Sequence, residues 1–283
     1  SFSMKNKTIK TASTVSYKII TDGKELTRDT TMLVNSIRIS VVNHIQNPTL
    51  PQWENMTLSL PSLLCIEYVD YDIWQNSVQV SVRHQYMNQQ PIIINKYYGM
   101  QSMFNSETEI LTIDGKYFDW TPISKIERFN KKDYPYFRCF LEQNDIAFQS
   151  AFLFKDGLGA HKELNDSDAI FIGNSYSKSY HKLISNRKRK IGDSDFWKGV
   201  YTWNIINKGK NSDLLMYNGK ISGREVLYII IKSKINRNIT LPVELIHRKL
   251  NMIYCSSGIK IERHSNNTCQ ILSDKPGGII IAI

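Results

Sequence analysis

From Ser77 to Tyr86 the chain reads Ser-Val-Gln-Val-Ser-Val-Arg-His-Gln-Tyr, placing Val78, Val80 and Val82 on one side and Ser77, Gln79, Ser81, Arg83 and Gln85 on the other. A period of two sends successive side chains to opposite faces of a strand, so this stretch predicts a sheet that is wet on one side. Ile37, Ile39, Val41 and Ile45 repeat the pattern, and Val15–Ile20 alternates as well. Composition agrees: the 283 residues include 37 Ile against 20 Leu and 6 Ala, and Ile suits a pleated surface while Ala and Leu lead the helix scale.

Further strands are expected at Leu63–Trp74, Pro91–Tyr98, Thr108–Ile113, Tyr117–Trp120, Tyr136–Leu141, Ile146–Phe154, Ala169–Ile172, Trp197–Asn207, Arg224–Lys232 and Gly278–Ile283. Asp114-Gly115 and Asn218-Gly219 are expected turns, and Asp274-Lys275-Pro276-Gly277-Gly278 introduces the last strand. The runs Ile92–Ile94, Ile229–Ile231 and Ile279–Ile281 are apolar on both faces, which predicts central strands covered by a second sheet or a neighbouring subunit. Helix is expected only at Ser175–Arg189 and Leu241–Met252. Many short strands without helix–strand alternation predict an all-β fold, an antiparallel β-sandwich with inserted loops and one or two short helices. Residues 1–14 are expected to form an extended basic arm and residues 15–283 the sandwich domain, with a sub-boundary in the basic segment 174–195.

Charge is unevenly placed. Residues 1–177 carry 17 Lys and Arg against 19 Asp and Glu, whereas residues 178–283 carry 19 against 7, within a total of +10. A basic portion of this kind points to a polyanionic partner, because Lys and Arg gain affinity by releasing condensed counterions. The densest run is Arg187, Lys188, Arg189 and Lys190, with Lys178, Lys182 and Lys198 nearby and Lys5, Lys7 and Lys10 in the arm. These ten residues are the candidate nucleic-acid contacts, with Tyr176, Tyr180, Phe196 and Trp197 available to stack on unpaired bases. A solvated loop or a targeting patch would use the same residues.

Enzyme signatures are missing from the pattern. Cys65, Cys139, Cys255 and Cys269 have no C-x-x-C spacing and are expected as reduced, mostly buried thiols. The six histidines, His44, His84, His161, His181, His247 and His264, lack H-x-H or H-E-x-x-H spacing. Asp70 and Asp72 share a strand face, as a hard divalent ion would require, but nothing supplies further ligands, and an acidic solvent face explains them better. Phe140–Phe148 followed by Asp166 or Asp168 resembles the opening of a metal-dependent nuclease site, but Tyr228–Lys232 has Ile where the second carboxylate belongs. No catalytic residue, metal ligand or cofactor is therefore assigned. Five N-x-S/T sequons occur at Asn6, Asn55, Asn165, Asn238 and Asn266, close to what chance gives in a chain so rich in Asn, Ser and Thr. No apolar run approaches the roughly 18–20 residues of a membrane-spanning helix. Ser1-Phe2-Ser3-Met4 reads equally as an added scar before Met4 or as a processed Ser1.

This organisation, strands throughout, a basic polar arm and no catalytic site, resembles the capsid proteins of small picorna-like RNA viruses. The resemblance implies a viral jelly roll, a structural subunit of an icosahedral capsid, other capsid subunits and genomic RNA as partners, and a virion or host-cytoplasm setting. It also implies that Trp53, Trp74, Trp120 and Trp203 seal contacts with neighbours. A matrix-type or adaptor sandwich that binds membrane or nucleic acid is the alternative expectation.

Overall fold

A computed structural model describes the backbone of residues 1–103, 108–112, 117–120, 126–129, 137–142, 147–160, 170–173, 178–205, 213–241 and 250–283. Side chains are described for 1–103, 150–158, 181–204, 213–241 and 250–283. The strands begin with β1 (Phe2–Met4), β2 (Lys7–Ile9), β3 (Ala12–Thr21), β4 (Lys24–Glu25), β5 (Ile37–Gln46), β6 (Gln52–Glu54) and β7 (Thr57–Ser59). Next come β8 (Leu63–Trp74), β9 (Ser77–Tyr86), β10 (Ile92–Met103), β11 (Thr108–Thr112), β12 (Tyr117–Trp120) and β13 (Ile126–Phe129). They continue with β14 (Phe137–Glu142), β15 (Ala147–Leu153), β16 (Ile170–Gly173), β17 (Lys178–Arg189) and β18 (Ser194–Ile205). The C-terminal set is β19 (Leu214–Ile221), β20 (Arg224–Ile231), β21 (Ile235–Thr240), β22 (Asn251–Cys255), β23 (Ile259–Arg263), β24 (Thr268–Ser273) and β25 (Gly277–Ala282).

The all-β, antiparallel expectation holds. A ten-stranded sheet, ordered β12-β11-β14-β15-β18-β9-β8-β5-β3-β4, forms the backbone of the molecule. The sheet β10-β17-β16-β13 packs on one of its faces: Met100, Leu183 and Ile184 join Val69, Val80, Val82, Ala151, Leu153 and Trp197 in one core. The sheet β19-β20-β25-β22 packs on the other face, where Tyr217, Val226, Tyr228, Ile230 and Ile280 meet Phe152 and Val200. Beyond it lies the three-stranded sheet β21-β24-β23. This strand order gives no support to jelly-roll connectivity, which pairs two four-stranded sheets.

Four layers explain the isoleucine runs. Along β20, Val226, Tyr228 and Ile230 enter one core while Leu227, Ile229 and Ile231 enter the next, and β25 divides Ile280 from Ile279 and Ile281 in the same way. Each of these side chains is at most 1% exposed, and full burial of such a residue contributes about 1.5–3 kcal/mol. A second sheet thus supplies the cover expected for two of the three runs. Ile92–Ile94 differs: Ile93 is 63% exposed, so β10 has only one covered face.

Several local expectations are corrected. Residues 178–189 form strand β17, paired with β10 and β16, where a helix was expected; neighbouring strands override a pattern that suits both periods. Residues 242–249 of the second expected helix lie outside the described residues, and Asn251 and Met252 already belong to β22. Asn218 and Gly219 sit inside β19, and the turn falls at Ser222-Gly223, both with positive φ. Gly219 is where Tyr228 Cε2 and Thr202 Cγ2 approach to 2.8 and 2.9 Å of an added Cβ, so the glycine serves close packing and not a turn. Within the segment 1–14, β1 and β2 pair as a hairpin, and Ala12 starts β3 in the large sheet. In the described part of 174–195, β17 and β18 lie in two facing sheets.

Candidate functional site

Three neighbouring strands of the large sheet place a set of side chains on the face that meets β10. Val69, Val82 and Trp197 form one row across β8, β9 and β18, followed by Tyr71, Val80 and Gly199. Glu67 and His84 form the preceding row. Period two sends Tyr201 and Trp203 to this same face further along β18. Tyr98, Gly99, Met100 and Gln101 of β10 form the opposing wall of a cleft of about 440 Å³. Glycine permits the close approach at its floor: an added Cβ on Gly199 would run into Met100 Sδ, and one on Gly99 would lie 3.1 Å from the Trp197 ring. Tyr201 donates its hydroxyl to the Gln101 carbonyl at 2.8 Å, and Trp197 Nε1 donates to the Tyr97 hydroxyl at 3.0 Å, tying the two walls together.

The cleft's chemistry is aromatic and acidic. Trp203 is 42% exposed, Tyr98 39% and Tyr71 37%, and the Tyr201 and Trp203 rings stack with centroids 5.8 Å apart. Glu67 lines the same space with 22% of its side chain open. Its carboxylate accepts hydrogen bonds from His84 Nε2 at 2.9 Å and Asn43 Nδ2 at 3.1 Å. An ionised carboxylate has no proton to give, so the His84 ring is the donor. The bond from His84, first, and that from Asn43 hold the Glu67 carboxyl below its ordinary value against the opposing effect of burial.

The ten sequence-selected cations do not form one surface. Lys5, Lys7 and Lys10 are exposed on the N-terminal hairpin, with Lys5 Nζ 5.1 Å above the Trp53 ring. Lys188 and Lys190 are exposed on β17 and just after it, but Lys182 is 1% exposed. Arg189 is 4% exposed and locked to Asp195, with Nε–Oδ2 at 2.6 Å and Nη2–Oδ1 at 2.5 Å, while Arg187 lies 3.7 Å from the same carboxylate. Lys198 points to the sheet face opposite Trp197, and the side chain of Lys178 lies outside the described residues. The densest basic run is therefore in part a buried ion pair.

Other chemical expectations resolve as structure. Asp72 is paired with Arg38, Nε–Oδ1 2.5 Å, and Asp70 accepts a hydrogen bond from Ser40 Oγ. Cys65, Cys255 and Cys269 are free thiols, and burial pushes Cys65 up to about 12. Among the described residues no group of three or more His, Cys, Asp or Glu is placed to hold a metal, and no helix is long and apolar enough to cross a membrane. Asp166 and Asp168 lie outside the described residues, while Tyr228–Ile231 belongs to the buried strand β20. Sequence reasoning missed Glu67, Tyr71, Tyr98, Gln101 and Tyr201 as site residues. The alternations Glu67-Val69-Tyr71 and Trp197-Gly199-Tyr201-Trp203 were the available signal, but nothing local indicates that these two faces share a wall.

No family model and no curated protein matches this chain. A putative aldose 1-epimerase from Klebsiella pneumoniae subsp. pneumoniae is a similar solved structure, at 9% identity and a TM-score of 0.33, covering 59% of this chain. The match spans half of that protein's length. The capsid function is corrected: the strand order gives no support to the jelly roll that it implies. Its assigned RNA contacts are also divided between exposed positions and buried ones. Trp203, expected to seal a neighbour contact, lines the cleft instead.

Proposed function

We propose that this chain is a carbohydrate-binding β-sandwich module whose cleft between the large sheet and β10 takes a sugar ring. The observation that carries the reading is the set of solvent-open aromatic rings, Tyr71, Tyr98 and Trp203, grouped in one concave site beside a carboxylate. A sugar ring offers an apolar face of C–H groups to an aromatic surface and rim hydroxyls to a fixed acceptor, and Trp203 and Glu67 supply that pair of partners. The volume suits one or two sugar rings, and rigid strands hold the lining at little entropic cost on binding.

The reading is binding without proton transfer. A general acid or base near neutrality needs a carboxyl raised towards the working pH, whereas two donors hold Glu67 below its ordinary value. Glu67 thus serves as a permanent acceptor. Titration of mono- and oligosaccharides against intrinsic tryptophan fluorescence tests this directly, because Trp197 and Trp203 both line the cleft. Saturable quenching that is abolished in Trp203→Ala, with folding intact by circular dichroism, is the expected result. A sugar panel that leaves the emission and calorimetric heats unchanged refutes the reading.

A further inference from the structure

We infer that the cleft selects a positively charged sugar, one carrying a free ammonium group, over its neutral counterparts. This rests on the carbohydrate-binding reading and names the ligand class of that same site. The cleft lining includes one carboxylate, Glu67, and no Lys or Arg. In a chain of net charge +10 this is a local reversal of sign.

Three nearby arginines are turned elsewhere. Arg83 neighbours His84 in β9 but faces the opposite side of the sheet, where its guanidinium lies 4.2 Å from the Tyr68 ring. Arg189 and Arg187 are both directed at Asp195. Glu67 is anchored by two donors, the Asn43 amide and the His84 ring, and neither fills all the lone pairs of its two oxygens. An ammonium group entering the cleft would meet that carboxylate in a partly dehydrated space, where a charge-assisted hydrogen bond is stronger than in water.

The aromatic rings act in the same direction. Tyr71, Tyr98 and Trp203 line the cleft as partly exposed rings, and a cation over the face of such a ring, within about 6 Å of its centroid, is attracted by the quadrupole. A neutral sugar gains the C–H stacking alone, whereas an aminosugar gains stacking, cation–π attraction and the carboxylate together.

The test compares glucosamine with N-acetylglucosamine and glucose by tryptophan fluorescence, at a pH where the free amine is protonated. Choline and 3,3-dimethylbutan-1-ol, its uncharged carbon analogue, provide a second pair on the unmodified protein. Tighter binding of each cation than of its neutral partner, by about tenfold, is expected, with the preference weakening as salt rises. Glu67→Gln keeps the side-chain shape and should reduce the glucosamine preference to a few-fold or less. Equal affinities within both pairs, or a preference unchanged in Glu67→Gln, overturns the inference while leaving sugar binding in place. If no sugar binds, charged or neutral, the carbohydrate reading fails and the inference fails with it.

Discussion

Replacing Asp195 with Asn should unfold this protein more easily than any change to the exposed lysines around it. Asp195 and Arg189 have side chains only 3% and 5% exposed, so neither charge is solvated once its partner is gone. Their contact is bidentate, and Tyr86 donates its hydroxyl to Asp195 Oδ2 at 3.1 Å, which adds a third bond to the same carboxylate. The pair bridges the end of β17 and the start of β18, at the turn that joins the two facing sheets. Asn removes the charge and leaves a buried guanidinium facing an amide. Breaking a buried pair on one side typically costs about 3–5 kcal/mol, far more than the pair adds over an apolar replacement. Urea unfolding followed by tryptophan emission measures this as a fall in midpoint at unchanged slope. Lys188→Ala and Lys190→Ala, both at exposed positions, should stay within about 0.5 kcal/mol of the parent. Arg189→Met combined with Asp195→Leu should recover much of the Asp195→Asn loss. A loss below about 1 kcal/mol for Asp195→Asn would refute the argument, because that is the scale of an exposed ion pair.

Three other outcomes follow from the geometry. Gly199→Ala should destabilise the fold by about 1–3 kcal/mol, since the new methyl runs into Met100 at the cleft floor; the same urea titration would detect it, and Met100→Ala in that background should restore part of the loss. Ile280→Ala, at a side chain with no exposed surface between two sheets, should cost about 2–5 kcal/mol, whereas Ile93→Ala at a 63% exposed position should be nearly silent in thermal melts. Glu67 has a lowered folded-state value, so its contribution to stability is present above the ordinary glutamate range near 4.5 and is lost as pH falls through the lower folded value. Unfolding midpoints measured from neutral to acid pH should therefore drop less steeply in Glu67→Gln, and parallel curves for the two proteins would contradict that linkage.

The sequence by itself determined the β-architecture and much of its detail. Alternation at Ser77–Tyr86 marked the face of β9 that buries Val80 and Val82, but the face expected to be wet buries Ser77 and Gln79 against β19 and its turn; the double-faced runs at Ile229–Ile231 and Ile279–Ile281 became β20 and β25 in the middle of the stack. These features are local, because a residue's face follows from its parity within the strand. Tertiary structure alone decided the rest. Lys178–Arg189 carries charges that tolerate helix or strand, and only pairing with β10 made it a strand and turned Arg189 inward to Asp195. Gly219 reads as part of a turn and Gly199 gives no signal inside its expected strand, yet each marks a place where another layer comes too close for a Cβ. The candidate site was hidden for the same reason: Glu67, Tyr98 and Trp203 are far apart in sequence and meet because β8, β9 and β18 are neighbours and β10 crosses their face. Strand parity fixes which side a residue takes, but the strand order and the layer opposite it fix what it meets there.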